Sequence, residues 1–136
     1  MTLLAHTLVP VADADDARLT ARSLDRYDPE RVTVLHVVEK GGGVPDKTPV
    51  EQSEEQAAEA FEAFRETFPD AETEVRYGTD IVDTVFEAAR DLDATAVAFH
   101  PRGGSRIVQL ISGDRTLDLV TEGDLPVVAL PGGPDV

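Results

Sequence analysis

The 136-residue chain contains no cysteine and no tryptophan. Disulfides, thiolate zinc sites and a cysteine nucleophile are therefore excluded. Lysine is almost absent: Lys40 and Lys47 stand beside ten arginines, and these twelve cations face 27 acidic side chains, for a net charge of −15. A DNA backbone or an anionic membrane would need a basic face that this composition does not supply, so neither is expected as a partner. Long hydrophobic runs are missing too. The opening MTLLAHTLVPVADADD has no basic leader and meets Pro10 and a run of aspartates too early for a signal peptide or a membrane span. A cytoplasmic location is the expectation.

What is present suffices for a core. Hydrophobic residues make up 41% of the chain and aromatics 5%, so packing falls mainly to Val, Leu, Ile and Ala with five Phe. The apolar residues come in periodic runs, which argues against disorder, and the length suits one domain, residues 1–136. A strongly acidic, lysine-poor surface matches cytosolic proteins of salt-saturated cells, where the Debye length shrinks to roughly 3 Å or less. At low salt such a charge repels itself.

Along the chain, residues 3–11 read as a buried strand closed by Pro10. Asp13, Asp15 and Asp16 then suit a helix N-terminus, with Ala17, Ala21, Leu24 and Tyr27 on one face and Pro29 as the stop. Residues 31–38, RVTVLHVV, form a strand too continuously apolar for a half-exposed sheet. The insertion EKGGGVPDKTPV follows, then a helix from about Ser53, where Ser53 and Gln56 have capping-box spacing. Ala57, Ala60, Phe61, Phe64 and Phe68 supply its core face. Residues 73–77 alternate as an edge strand does. Thr79 or Asp80 caps a third helix with Ile81, Val82, Val85, Phe86, Ala89 and Leu92 inward. Residues 94–99 make an apolar strand with the exit loop HPRGGS; a fourth helix carries Leu110, Leu117 and Val120, and residues 125–130 close the chain as a strand.

Strict strand–helix alternation predicts an open, five-stranded parallel α/β sheet with helices on both faces, a Rossmann-like arrangement. Ligands of such sheets sit beyond the strand C-terminal ends at the switch in strand order. Two loops there differ in sign: PVADADD is acidic and HPRGGSR is basic and glycine-rich. Their opposite charges would let them meet in place of a ligand.

In order and spacing, the pieces TLVPVA, VTVLHVVE, RYGTDIVDTVFEAARDLDATAVAF and DLPVVALP resemble universal stress proteins of the UspA type over nearly the whole chain. The resemblance implies a stress-response regulatory or binding protein with the adenine nucleotide alpha hydrolase-like fold. It also implies a homodimer paired through the last strand, an apolar edge that should not stay open. ATP-binding relatives carry Gly, two residues, Gly, nine residues, Gly, then Ser or Thr. Here Gly103 and Gly113 keep that spacing, while His100 replaces the first glycine and Asp114 the hydroxyl residue. A further departure is Ala12, standing two after Pro10 where relatives place a nucleoside-contacting Asp; Asp13 comes one place late. Val37 matches a position lining the adenine pocket.

The expected site is therefore a degenerate nucleotide loop: Gly103, Gly104, Gly113, Arg102, Arg106, His100 and Val37. The cofactor is open, ATP being one possibility and another phosphate-bearing ligand the alternative, with slow hydrolysis a weaker one. Arg102, Arg106 and Arg115 suit an anion, or else pair with Asp13, Asp15, Asp16 and Asp114. His6, His36 and His100 allow a three-histidine metal site on neighbouring strands, against the plainer role of packed histidines. No nucleophile elbow or Walker motif occurs, and catalysis is not expected.

Overall fold

The computed structural model describes residues 3–39, 50–99 and 125–130. In chain order these form β1 (Thr7–Pro10), α1 (Ala14–Asp25), β2 (Val32–Glu39), α2 (Val50–Arg65), β3 (Glu72–Gly78), α3 (Ile81–Asp91), β4 (Ala96–Phe99) and β5 (Val127–Ala129). All pairings are parallel, in the order β3-β2-β1-β4-β5. The expected open α/β sheet is what the chain builds. The insertion at 40–49 and the expected fourth helix lie outside the described residues.

Alternation along the strands sorts the core into two layers. Val9, Val32, Val34 and Ala98 face α1 and α2, meeting Ala17, Ala21, Leu24, Ala60 and Phe64. Leu8, Leu35, Val97 and Phe99 face α3, meeting Val85, Phe86, Ala88 and Ala89. Phe64 is fully buried and stacks on Phe68 with centroids 5.3 Å apart. Truncating a ring so placed costs about 3–5 kcal/mol.

Several boundaries differ from the sequence expectation, each for a local reason. β1 begins at Thr7 because its neighbours begin there, with Thr7 paired to Val32 and to Ala96; residues 3–6 are tied instead by the Glu30 N–H to the Leu4 carbonyl and by Thr95 to His6. α1 stops at Asp25, before Pro29: Asp28 takes a left-handed φ of 50°, so Tyr27 falls past the helix and is exposed rather than on its buried face. α2 starts at Val50, which puts Ser53 inside the helix and removes it as an N-cap. α3 is capped by Asp80, whose side chain accepts from the Asp83 N–H. It ends in a Schellman arrangement, with Ala94 N–H to Ala89 O and Asp93 N–H to Arg90 O, around Asp93 at φ 57°.

β1 carries one feature that shapes the cleft. Thr7 and Val11 donate their N–H groups toward β2, to Arg31 and Leu35, so the even residues Leu8 and Pro10 turn theirs toward β4. Pro10 has no N–H to give. The β1–β4 ladder accordingly stops at Leu8↔Val97, although β1 runs to Pro10 and β4 to Phe99.

At the end of β3, Gly78 lies against the start of α3. A Cβ there would overlap Thr84 Oγ1, which donates 2.7 Å to the Asp80 carbonyl and so anchors the α3 N-terminus. Gly78→Ala should destabilise the protein by about 1–3 kcal/mol in denaturant titration. Adding Thr84→Ala should recover part of that loss, giving a non-additive double-mutant cycle.

Candidate functional site

The strand order reverses between β1 and β4, so their C-terminal ends flank the switch-point crevice expected of this sheet. The β1–β4 ladder ends early, before Pro10, so Val11–Asp13 follow β1 on one side of the switch point and β4 ends at Phe99 on the other, the residues beyond it lying outside those described. α1 begins immediately behind the first loop.

That loop is closed by the chain's own carboxylates. Asp13 caps α1, its Oδ1 accepting from the Asp16 N–H at 2.8 Å while its carbonyl takes the Ala17 N–H. Asp16, three residues on, reaches back so that its Oδ2 accepts the Ala12 N–H at 2.8 Å; this is a capping box shifted one residue outward. The Thr20 hydroxyl makes a longer contact, 3.5 Å, with Asp16 Oδ1. Asp15 is exposed and pairs with Arg18. Among the described residues, these carboxylates find backbone, hydroxyl and Arg18 partners; whether Arg102, Arg106 or Arg115 joins them falls on residues outside those described.

On the other side of the same peptide, the Val11 carbonyl accepts from His36 Nδ1–H at 3.3 Å. A carbonyl can only accept, so this contact fixes the ring proton on Nδ1. One peptide unit, Val11 C=O and Ala12 N–H, is thus held between a histidine from β2 and a carboxylate from α1. Burial lowers the His36 pKa, partly offset by the Val11 carbonyl and by the charge of Asp13. Burial raises the Asp16 carboxyl to about 6, with the like charge of Asp13 adding to the shift while the Ala12 N–H and Thr20 work against it.

Val37 is half-buried, packed on the α3 side of β2. The remaining expected site residues, His100, Arg102, Gly103, Gly104, Arg106 and Gly113, lie outside the described residues, as does Asp114. The three-histidine idea is separated by geometry. His6 precedes Thr7 at the N-terminal end of the sheet, with Nε2 2.8 Å from Thr33 Oγ1. His36 lies five rows along β2, about 16 Å away at strand rise. No group of metal-ligating side chains assembles among the described residues.

A hollow of about 460 Å³ opens at that opposite end, lined by Pro29, Arg31, Phe68, Pro69 and Glu72 among others. Its guanidinium is already taken: Arg31 is bound by both Glu72 oxygens at 2.7 and 3.1 Å. The switch-point crevice, with its clasped peptide, is the better candidate. The pairing of Asp16 with Ala12 escaped the sequence reading, although the three-residue spacing of Asp13 and Asp16 at a helix start was the available signal.

No protein-family model matches the chain, and no curated protein matches it in sequence. Solved structures do. The chain is similar to the universal stress protein UspA of Lactobacillus plantarum, at TM-score 0.64 and 23% identity over 96% of this chain and 100% of that one. It is similar to the universal stress protein of Archaeoglobus fulgidus in complex with dAMP, at 0.61 and 20% over 96% and 100%. It is likewise similar to a universal stress protein in complex with cAMP, at 0.60 and 15% over 96% and 99%. The architecture is therefore a Rossmann-like α/β sheet, and its fold is that of the universal stress proteins of the UspA type.

A carboxyl raised from its ordinary 3.8 to about 6 binds more protons folded than unfolded between those values. Its stabilising contribution is complete below about pH 4 and is lost as pH rises through 6. Asp16→Asn, which keeps an acceptor for Ala12, should therefore be more stable than the parent by about 1–3 kcal/mol above pH 6.5, the difference vanishing near pH 4. Chemical denaturation across pH 4–8 checks this, and a constant difference at all pH values would contradict it.

Proposed function

We propose that this chain is a single-domain, universal-stress-type regulatory protein of the cytoplasm whose switch-point crevice holds a degenerate nucleotide site. The observation that carries the reading is the closed first loop. The Ala12 and Asp16 amides, which would face an anion at a helix N-terminus, are both occupied by the chain's own aspartates. Ala12 stands where ATP-binding relatives place the nucleoside-contacting Asp, and Asp114 stands at a phosphate-contacting position. A crevice so lined adds like charge to any phosphate brought into it.

The second reading is an adenine-nucleotide or other phosphate-bearing ligand site. It is favoured by the likeness to structures in complex with dAMP and with cAMP. In it Gly103, Gly104 and Gly113 let backbone amides approach the phosphate, Arg102 and Arg106 supply charge, His100 stands at the loop entrance and Val37 lines the base pocket. Slow hydrolysis would show as phosphate release dependent on Arg102 or His100.

The dimer belongs to the same proposal. β5 is an edge strand with half-buried Val127 and Val128, and pairing it across a two-fold axis would cover that edge. The charge of −15 suits work at high salt, where self-repulsion is screened. No helix among the described residues is long and apolar enough to cross a membrane.

Calorimetry with ATP in molar potassium chloride at neutral pH, with and without magnesium, separates the two readings. The degenerate site predicts no saturable heat, and magnesium-strengthened binding would establish the nucleotide reading instead. Sedimentation in the same buffer at micromolar concentration should give the mass of two chains, and a monomer there would remove the β5 dimer.

A further inference from the structure

The hollow at the N-terminal end of the sheet has walls that are fixed by the protein's own contacts. One wall is the connection from α1 to β2, Pro29 to Val32, tied down by the Glu30 N–H on the Leu4 carbonyl at 3.0 Å. The other is the connection from α2 to β3, Thr67 to Glu72. There Arg65 donates twice to the Ala71 carbonyl, at 2.7 and 3.0 Å, and the Ala71 N–H closes on the Phe68 carbonyl at 3.0 Å. The Arg31–Glu72 pair joins the two walls across the entries of β2 and β3. The volume of about 460 Å³ falls within the range of small-molecule sites, roughly 300–1,000 Å³. Walls held in advance lower the ordering cost of binding.

The lining divides by chemistry. Pro29, Pro69 and the half-buried Phe68 supply apolar surface, and Phe64 stacks on Phe68 so that the ring is set in place. The charged residues of the lining are Arg31 against Glu30, Asp70 and Glu72, a balance of 1 − 3 = −2. Counting Arg65, which grips the Ala71 carbonyl behind the wall, the balance is still 2 − 3 = −1. Both guanidiniums are committed within the protein, so an anion meets repulsion and no open fork of donors. A cation meets carboxylates beside an aromatic ring, the combination that holds organic cations. A bare metal ion would leave the ring and the prolines unused. Acidic groups are common on this chain, and it is the apolar walls that single out this place.

We propose that this hollow is a binding site for a small organic cation with a flat apolar body, of the amidinium or guanidinium class. Its charged head lies toward Asp70, and its body packs against Phe68 and the two prolines. The site is at the opposite end of the sheet from the switch point, and it stands or falls independently of the nucleotide reading.

The probe is benzamidine, compared with its uncharged isostere benzamide and with benzoate, each titrated into the protein and followed by amide NMR shifts in molar potassium chloride at pH 7. At that salt the general pull of an acidic surface is screened. Benzamidine should give saturable shifts at Val32, Phe68, Ala71 and Glu72, with an affinity about tenfold above that of benzamide. Benzoate should give none. Asp70→Lys, a change at an exposed position, should cost benzamidine at least about tenfold. Phe68→Leu, which keeps an apolar wall but removes the ring, should weaken benzamidine more than benzamide. Should that variant fail to fold, the Asp70 change and the three-ligand comparison decide the matter. Equal affinity for benzamidine and benzamide, shifts scattered over the acidic surface, no saturable shift at all, or undiminished binding by Asp70→Lys overturns the site.

Discussion

The structure depends on the burial of one short strand. β1 is four residues long, and Thr7, Leu8, Val9 and Pro10 are all buried, pressed between α1 on one face and α3 on the other. A strand in that position must have its backbone groups satisfied from both sides. β2 does so along its whole length and β4 only for the first two residues. The mismatch is set by proline chemistry: the ring that closes β1 removes the one N–H that would have carried the ladder toward β4 further. The same residue thus fixes where the sheet is tight and where it parts. The parting lies at the reversal of strand order, which is where a sheet of this kind offers its crevice.

The described cations are largely engaged in joining elements. Arg18 links α1 to Glu66 past the end of α2, Arg31 links the entry of β2 to Glu72 of β3, and Arg76 links β3 to Asp91 of α3 while also holding Glu74. These pairs are mostly exposed, and each contributes little in isolation. Their distribution matters more than their strength. With 27 acidic groups and twelve cations, each arginine committed to an acidic partner leaves less positive charge for a ligand. The excess acid then has to be accommodated by other means. In the first loop the means is backbone: two aspartates are satisfied by amides at a helix N-terminus, where the dipole favours negative charge. What looks in the sequence like crowding of like charges is a capping arrangement that needs no cation.

Much of this was legible in the residues themselves. The parallel sheet with its three described helices, the edge positions of β3 and β5 and the core faces of α2 and α3 follow from periodicity, and they stand in the structure; of the cap candidates, Asp13 and Asp80 are the ones that act. Element ends were less legible, because they depend on partners far along the chain. β1 cannot start before Val32 and Ala96 are there to meet it, and the apolar run from residue 3 gives no sign of that. Ser53 and Gln56 have the spacing of a capping box but fall inside α2, whereas Asp13 and Asp16 share that spacing at the start of α1. Spacing alone does not distinguish them; the helix start does. Likewise nothing local in RVTVLHVV shows that His36 will lie beside the Val11 carbonyl. That contact comes from strand register, with Pro10 opposite Leu35 and hence Val11 beside His36.

The two buried titratable groups at the crevice pull stability in opposite directions with pH. His36, with its pKa lowered by burial, stabilises the fold as a neutral ring; that contribution is present above about 6.5 and is lost as pH falls through its lower folded value. Asp16 does the reverse, stabilising the fold most in its neutral form. Near neutrality the histidine is at its best and the carboxylate at its worst, held ionised in a partly buried place beside Asp13. Asn in place of Asp16 would retain the Ala12 contact without the desolvation cost. Two opposed demands therefore meet at Asp16: the Ala12 amide and the helix N-terminus favour the carboxylate, whereas burial and the neighbouring Asp13 favour the neutral acid.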